Sequence, residues 1–356
     1  MSEARQTADP PLIGRYEVRH KVGEGGMGVV YAAYDPELER EVAVKLLRRD
    51  RLRGARVEQA SERLRQEARI TARLAHPNVV TIYDVGQHEA SVYIAMELVH
   101  GPSMRRWLHD IARPWREVLA MFFQAGFGLA AAHDAGLIHR DFKPANVLIG
   151  DRRARVVDFG LARAGIVRAR ARPSSRVDVT STAPSEASAT RPTSEVVDVL
   201  ETIPGAEDLS IATDVARVLE EQVEASTVTL ESRVTPGAGA SDVDVTTTDH
   251  FVGTPAYMAP ELFTGGIADA RTDQFAFCVA LYEGVYGHRP FAGETALEIA
   301  AQVLAGKVRA PPGRSRVPGW IGDIILKGLA VDPEQRHASM RSLLAAIAFV
   351  SRIMWD

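Results

Sequence analysis

The sequence predicts an α+β fold in which strands come first and helices follow. Three observations carry this. From Tyr16 to Glu97, β-branched and aromatic residues alternate around a cluster of glycines. Beyond Gly101, apolar residues recur at helical spacing. Between residues 165 and 248 there is no Phe, Tyr or Trp at all, so folded structure is expected on either side of that stretch.

In the strand-rich part, Val18, Val22, Val29, Val30 and Tyr31 surround Gly23, Gly25, Gly26 and Gly28. Asp35-Pro36 makes a turn, and Glu41-Val42-Ala43-Val44-Lys45 resumes the alternation. A helix is predicted from Val57 to Leu74, with Leu64, Thr71 and Leu74 inward and Glu67 on the same face. His76-Pro77-Asn78 ends it, and Val79 to Val85 and Ser91 to Glu97 read as a strand pair. In the helical part, Trp107 to Ile111 is short. Trp115 to His133 is long, with Val118, Phe122, Ala125, Leu129 and Ala132 on one face. Val147-Leu148-Ile149 and Ala154 to Val157, joined by a Gly150-Asp151 turn, form a hairpin that delivers Asp158. From Thr272 to about Val350 the pattern is helical, broken at Pro290, Pro311-Pro312 and Asp332-Pro333.

Composition narrows the function classes. The 356 residues carry a formal net charge of -4 with no dominant basic stripe, which argues against nucleic acid as a partner. One cysteine, Cys278, excludes a disulfide framework. No apolar run approaches the roughly 18–20 residues of a membrane span, and the polar start from Met1 to Pro11 is no signal peptide, so a cytoplasmic protein is expected. The 165–248 segment has 14 acidic and 7 basic side chains and 22 Ser/Thr. Without aromatics it cannot bury enough apolar surface to offset ordering, on the order of 1–2 kcal/mol per residue, and it is expected to be mostly disordered. Leu209, Ala212, Ala216, Leu219 and Val223 nonetheless fit a short amphipathic helix from about Glu207 to Glu224.

The chemistry-bearing strings come in a fixed order. Gly23-Glu24-Gly25-Gly26-Met27-Gly28-Val29-Val30 would suit a dinucleotide fold only if a helix followed, and Val29 to Tyr34 looks like a strand. It lacks the Gly-Lys-Ser/Thr of a P-loop, so a hairpin whose backbone amides approach phosphates is the better reading. Lys45 ends an apolar strand, where an ammonium needs a partner; a surface lysine is the plainer alternative. His139-Arg140-Asp141-Phe142-Lys143-Pro144-Ala145-Asn146 puts Asp141 and Asn146 in one loop, with Asp158-Phe159-Gly160 after the hairpin and Ala259-Pro260-Glu261 downstream. That spacing suits phosphoryl transfer: Asp141 facing an acceptor hydroxyl, Asn146 and Asp158 holding Mg²⁺, and Lys143 beside the transferring group. Only five of the 42 Lys and Arg are lysines, and two of them fall on these strings.

Together the motifs resemble the eukaryotic-like Ser/Thr protein kinases of bacteria, over about Tyr16 to Val350 apart from the 165–248 insert. The resemblance implies a bilobal protein-kinase-like fold. A small mainly-β N-lobe (16–98) with one key helix would precede a larger mainly-α C-lobe (99–350), with tails at 1–15 and 351–356. It implies ATP in the cleft against Val22, Gly23, Gly25, Gly28, Val30, Ala43 and Lys45, with Met96 as gatekeeper and Glu97 and Val99 offering backbone groups to adenine. Lys45 and Glu67 would form the activating ion pair and Asp141 would be the base. Asn146 and Asp158 would hold Mg²⁺, with Mn²⁺ as a substitute. Thr254 would bond Asp141 and Lys143 in the substrate-docking loop, Glu261 would pair with Arg336, and Asp273 would brace the catalytic loop. Lys143 and Thr254 favour Ser/Thr over Tyr as acceptor on protein substrates.

Two departures stand out. Phe142 replaces a commoner Leu, an apolar exchange expected to be harmless. The 98 positions between Gly160 and Ala259 far exceed the family's usual activation segment. Arg140 and Arg163 are placed to receive a phosphate, and Thr246, Thr247 and Thr248 are the preferred autophosphorylation sites, through transient self-association. The chain ends soon after Val350, and no attached sensor domain is expected. Two other readings stay open: a pseudokinase scaffold, against which every catalytic position is filled, and a small-molecule kinase, against which Ala259-Pro260-Glu261 and Arg336 speak.

Overall fold

Period-two alternation from Tyr16 to Leu47 has a direct consequence: each strand offers one apolar row to each side of a sheet. In the computed structural model, which describes residues 11–25, 28–47, 68, 70–89, 91–159 and 255–353, these rows form a six-stranded antiparallel sheet. Its strands are β1 (Leu12–Ile13), β2 (Tyr16–Gly25), β3 (Gly28–Asp35), β4 (Arg40–Leu47), β5 (Ile82–His88) and β6 (Ser91–Glu97), in the order β1-β2-β3-β4-β6-β5. Register pairs Val30 with Lys45 and Ala43 with Met96, which sets all four side chains on one face. That face also carries Ile94 and Leu47, packed with Ala68 of the preceding helical segment. The opposite face buries Ile13, Tyr16, Ala33, Val42, Val44, Tyr93 and Ala95.

The expected tail at 1–15 is corrected at its end. Leu12 and Ile13 pair with Glu17 and Tyr16, Ile13 is buried, and Gly14 (φ 61) makes the turn between the strands. A two-residue strand leaves too short a pattern to read from sequence. The helix predicted to Leu74 ends earlier, at Thr71. Arg73 and Leu74 close tight bonds to Ile70 and Thr71 carbonyls before His76-Pro77. The strand expected from Val79 begins at Ile82 instead, because Val79 and Val80 turn to the second sheet, where the Val80 N–H donates to the Val156 carbonyl.

The remainder is helical around one large core. Ser103 caps α1 (Met104–Asp110), and Trp115 opens α2 (Trp115–Asp134). The expected face of α2 is buried throughout: Val118, Phe122, Ala125, Leu129 and Ala132. Phe122 meets Phe277 edge-on at 5.6 Å between ring centres, a contact whose full burial stabilises by about 2–3 kcal/mol. Strands β7 (Val147–Gly150) and β8 (Arg153–Val156) make the predicted hairpin, with Asp151 and Arg152 both at positive φ as a tight two-residue turn requires. After the 165–248 region come α3 (Pro260–Phe263), α4 (Ala270–Tyr286), α5 (Ala296–Leu304), α6 (Gly319–Gly328) and α7 (Met340–Ile353). An Asp269–Thr272 capping box starts α4 and Gly287 (φ 77) stops it. Every residue from Thr272 to Tyr282 is buried, so α4 is the post around which this part packs. Among the described residues no helix is long and apolar enough to cross a membrane.

Candidate active site

The glycine-rich strand pair comes first. Gly28 lies opposite Leu47, and a Cβ there would sit 2.2 Å from the Leu46 carbonyl oxygen at a φ of 157°, so the fold itself demands glycine. At Gly23 and Gly25 a Cβ would meet no protein atom. Packing does not require glycine there, and the bare backbone is left open to an approaching ligand. Val22 beside them is exposed.

Lys45 is buried on the sheet's inner face, and its Nζ lies 2.7 Å from Asp158 Oδ2. Burial acts against the Asp158 carboxylate, but the Lys45 charge and hydrogen bond outweigh it and hold its pKa below the ordinary value. The partner expected for Lys45, Glu67, lies outside the described residues. Asp158 itself has φ 66 and Arg140 φ 70. Two non-glycine residues in this region cost about 1–3 kcal/mol each unless their surroundings hold them.

Those surroundings are specific. Buried Asp273, on α4, accepts the backbone N–H groups of both His139 and Arg140 at 2.7 Å and a bond from His133 Nε2 at 2.8 Å. His139 is fully buried: its Nε2 donates to the Val157 carbonyl at 2.9 Å, and its Nδ1 accepts from the Asp141 N–H at 3.3 Å. One imidazole thus links the loop carrying Asp141 to the strand end carrying Asp158. Phe159 packs on the same ring at 4.8 Å, and Phe142 meets it at 5.8 Å while also touching Phe277. Phe142 is a buried core residue, as its apolar character suggested.

On this frame the loop side chains converge. Lys143 Nζ lies 2.8 and 3.0 Å from the two Asp141 oxygens. Asn146 Nδ2 donates to the Asp141 carbonyl at 2.8 Å and to its carboxylate at 3.2 Å. Asn146 Oδ1 accepts no hydrogen bond among the described residues, so with Asp158 it makes a pair of oxygen donors of the kind a hard divalent cation takes together with phosphate oxygens. The ligand set fits such a metal only when phosphates complete it, since no group of three or more His, Cys, Asp or Glu among the described residues could hold one alone. At the hinge, the Glu97 N–H donates to Thr81, while the Val99 N–H has no hydrogen-bond partner among the described residues. Met96 sits half-buried at the end of β6.

On the far side of Asp141 a small cavity is lined by Arg140, Asp141, Tyr257, Met258 and Leu262. Below it Glu261 and Arg336 form a two-point bridge at 3.0 and 2.8 Å. The guanidinium is buried, and it also donates to the Arg271, Ala330 and Val331 carbonyls. Thr254, Thr246, Thr247, Thr248 and Arg163 lie outside the described residues, as does the helix expected at 207–224. His133 was missed in the sequence because a lone histidine carries no spacing signal, and His139, although part of the quoted string, was assigned no role there.

Comparison with known proteins agrees with this geometry. The family described as Protein kinase domain matches residues 16–199 and 237–346. The serine/threonine-protein kinase PrkC of Bacillus subtilis is 29% identical over 340 residues, covering 94% of this chain. PknL of Mycobacterium tuberculosis is 32% identical over 343 residues, covering 95%. The chain spans 40% of the length of PrkC and 66% of PknL. The crystal structure of the M. tuberculosis PknI kinase domain matches with a TM-score of 0.59 at 21% identity, over 97% of this chain and 99% of that one, a likeness of fold. The bilobal architecture, the convergent loop and the family match agree: this chain belongs to the protein kinase domain family.

Proposed function

We propose that the protein is an ATP-dependent Ser/Thr protein kinase that transfers the γ-phosphoryl group to hydroxyls of protein substrates. The observation that carries this is the convergence of Asp141, Lys143 and Asn146 within hydrogen-bond reach of one another, on the frame that also holds Lys45 against Asp158. Asp141 orients the acceptor hydroxyl and takes its proton, and Lys143 offsets charge on the group in transfer. Lys45 holds phosphate oxygens from the sheet side, with Glu67 as its second partner. The glycine-rich strands cover the phosphates, Val30 and Ala43 flank the base, and the hinge at Met96, Glu97 and Val99 receives adenine. Asn146 and Asp158 are the residues that would hold Mg²⁺, for which Mn²⁺ substitutes; when bound, the ion neutralises charge on the phosphates. Thr254 tethers the docking loop, and phosphate on Thr246, Thr247 or Thr248 is received by Arg140 and Arg163.

The test is incubation of the purified chain with radiolabelled ATP, Mg²⁺ and a generic protein substrate, beside Asp141→Asn. Label on serine or threonine with wild type alone is the expected result. Equal labelling by both proteins, or none by either while ATP still binds, returns the scaffold reading.

A further inference from the structure

Behind the hinge lies an open pocket of about 370 Å³, within the roughly 300–1,000 Å³ range of small-ligand sites. It is lined by His76, Pro77, Thr81, Glu97, Arg153 and Arg155, and none of its polar residues takes part in the proposed reaction through its side chain.

Its walls are fastened together. The Asn78 side chain donates to the Ala154 carbonyl at 2.9 Å, the Val156 N–H to Asn78 at 2.9 Å, and the Val80 N–H to Val156 at 3.0 Å. The loop bearing His76 and the strand bearing Arg153 and Arg155 are therefore one rigid piece, and Arg155 Nε bonds Glu97 Oε1 at 2.9 Å to close the hinge side. Arg155 also donates to the Gly150 carbonyl at 3.1 Å, so it is a fixed cation and not a swinging one.

What these walls lack is an acceptor. His76 Nδ1 accepts the Asn78 N–H at 3.1 Å, which leaves the ring proton on Nε2. Burial, with Arg341 nearby, lowers the His76 pKa and keeps that ring a neutral donor. Among the described residues neither His76 Nε2, the Thr81 hydroxyl nor the Arg153 guanidinium has a hydrogen-bond partner. The one carboxylate present, Glu97, is already held by Arg155. A cavity with two guanidiniums, an imidazole N–H and a hydroxyl, and only one spoken-for carboxylate, is chemically suited to a tetrahedral oxyanion with several acceptor oxygens.

We propose that this cavity behind the hinge, lined by His76, Thr81, Arg153 and Arg155, is a binding site for a phosphate group. The group can come from a phosphorylated protein segment or from free phosphate, and both present the same dianion. The site is independent of the phosphoryl-transfer reading.

The test is titration calorimetry on the phosphatase-treated full chain, with the ATP cleft filled by a non-hydrolysable ATP analogue and Mg²⁺. The probes are a phosphothreonine tripeptide, its unphosphorylated form and inorganic phosphate. One-to-one binding of the phosphorylated peptide, none of the bare peptide, and about tenfold or greater weakening in both Arg153→Ala and Thr81→Val is expected, as loss of a charge-assisted or buried hydrogen bond gives. Circular dichroism of each variant checks that it folds. Phosphopeptide affinity well above that of phosphate identifies a phosphoprotein source; equal affinities identify the free anion. No saturable binding by wild type, or unchanged affinity in both folded variants, overturns the proposal.

Discussion

Lys45 Nζ and Asp158 Oδ2 lie 2.7 Å apart although 113 residues separate them in the chain. The bond joins the inner face of the sheet to the end of the β7–β8 hairpin, so one ion pair couples the two parts of the fold across the cleft. It also couples their fates when either partner is changed.

Lys45→Met removes the cation and leaves Asp158 a partly buried carboxylate without this partner. Phosphotransfer to a peptide, measured as kcat/KM, is expected to fall about 100-fold or more. Activity within a few-fold of wild type contradicts the placement of Lys45 at the phosphates.

Asp273 holds the loop, so Asp273→Asn tests the frame apart from the chemistry. The amide keeps the shape but presents N–H toward groups that already donate, the His139 and Arg140 N–H and His133. Hydrogen bonds to a charged acceptor contribute about 1.5–3 kcal/mol each. A drop of roughly 5 °C or more in the thermal midpoint, with lowered activity, is the expected outcome, followed by calorimetry. An unchanged midpoint shows that the strained φ at Arg140 is held by other contacts.

The Glu261–Arg336 bridge predicts a non-additive pair. Arg336→Met leaves Glu261 partly buried without its guanidinium partner and is expected to cost about 3–5 kcal/mol. Adding Glu261→Leu removes the orphaned charge and recovers part of that loss. Denaturant unfolding of the two single variants and the double variant measures the coupling; strict additivity contradicts it.

The same bridge carries a pH dependence. Burial tends to raise the Glu261 pKa from its ordinary 4.5, but Arg336 and Thr272 lower it on balance. A carboxylate depressed on folding stabilises fully above its unfolded value and loses that stabilisation as pH falls through the folded one. The midpoint difference between wild type and Glu261→Gln is therefore expected to be largest near neutrality and to shrink below about pH 4.5. A difference constant down to about pH 3 rejects the assignment.

Local rules were enough for much of this. The buried face of α2 followed from spacing alone, because tertiary packing there only completes what the helical repeat presents. The β7–β8 hairpin followed likewise, with its turn one residue later than expected, at Asp151-Arg152, since Gly150 pairs with Arg153. Leu12–Ile13 did not, since a two-residue strand has no period, and its place depends on Tyr16 folding back against it. The early end of the helix before His76-Pro77 was also out of reach, being set by turn bonds at Thr71.

The order of the motifs alone put Asp141, Lys143, Asn146 and Asp158 forward together, because the proposed phosphoryl transfer needs those residue types at those separations. Only the tertiary structure decided what holds them. Lys45 reached Asp158, Asp273 gathered the His139 and Arg140 amides, and Arg155 reached Glu97 to close a cavity behind the hinge. Each of these is a contact between distant stretches of chain, and no local propensity encodes it; it exists only once the hydrophobic cores have set the sheet and the helices in place.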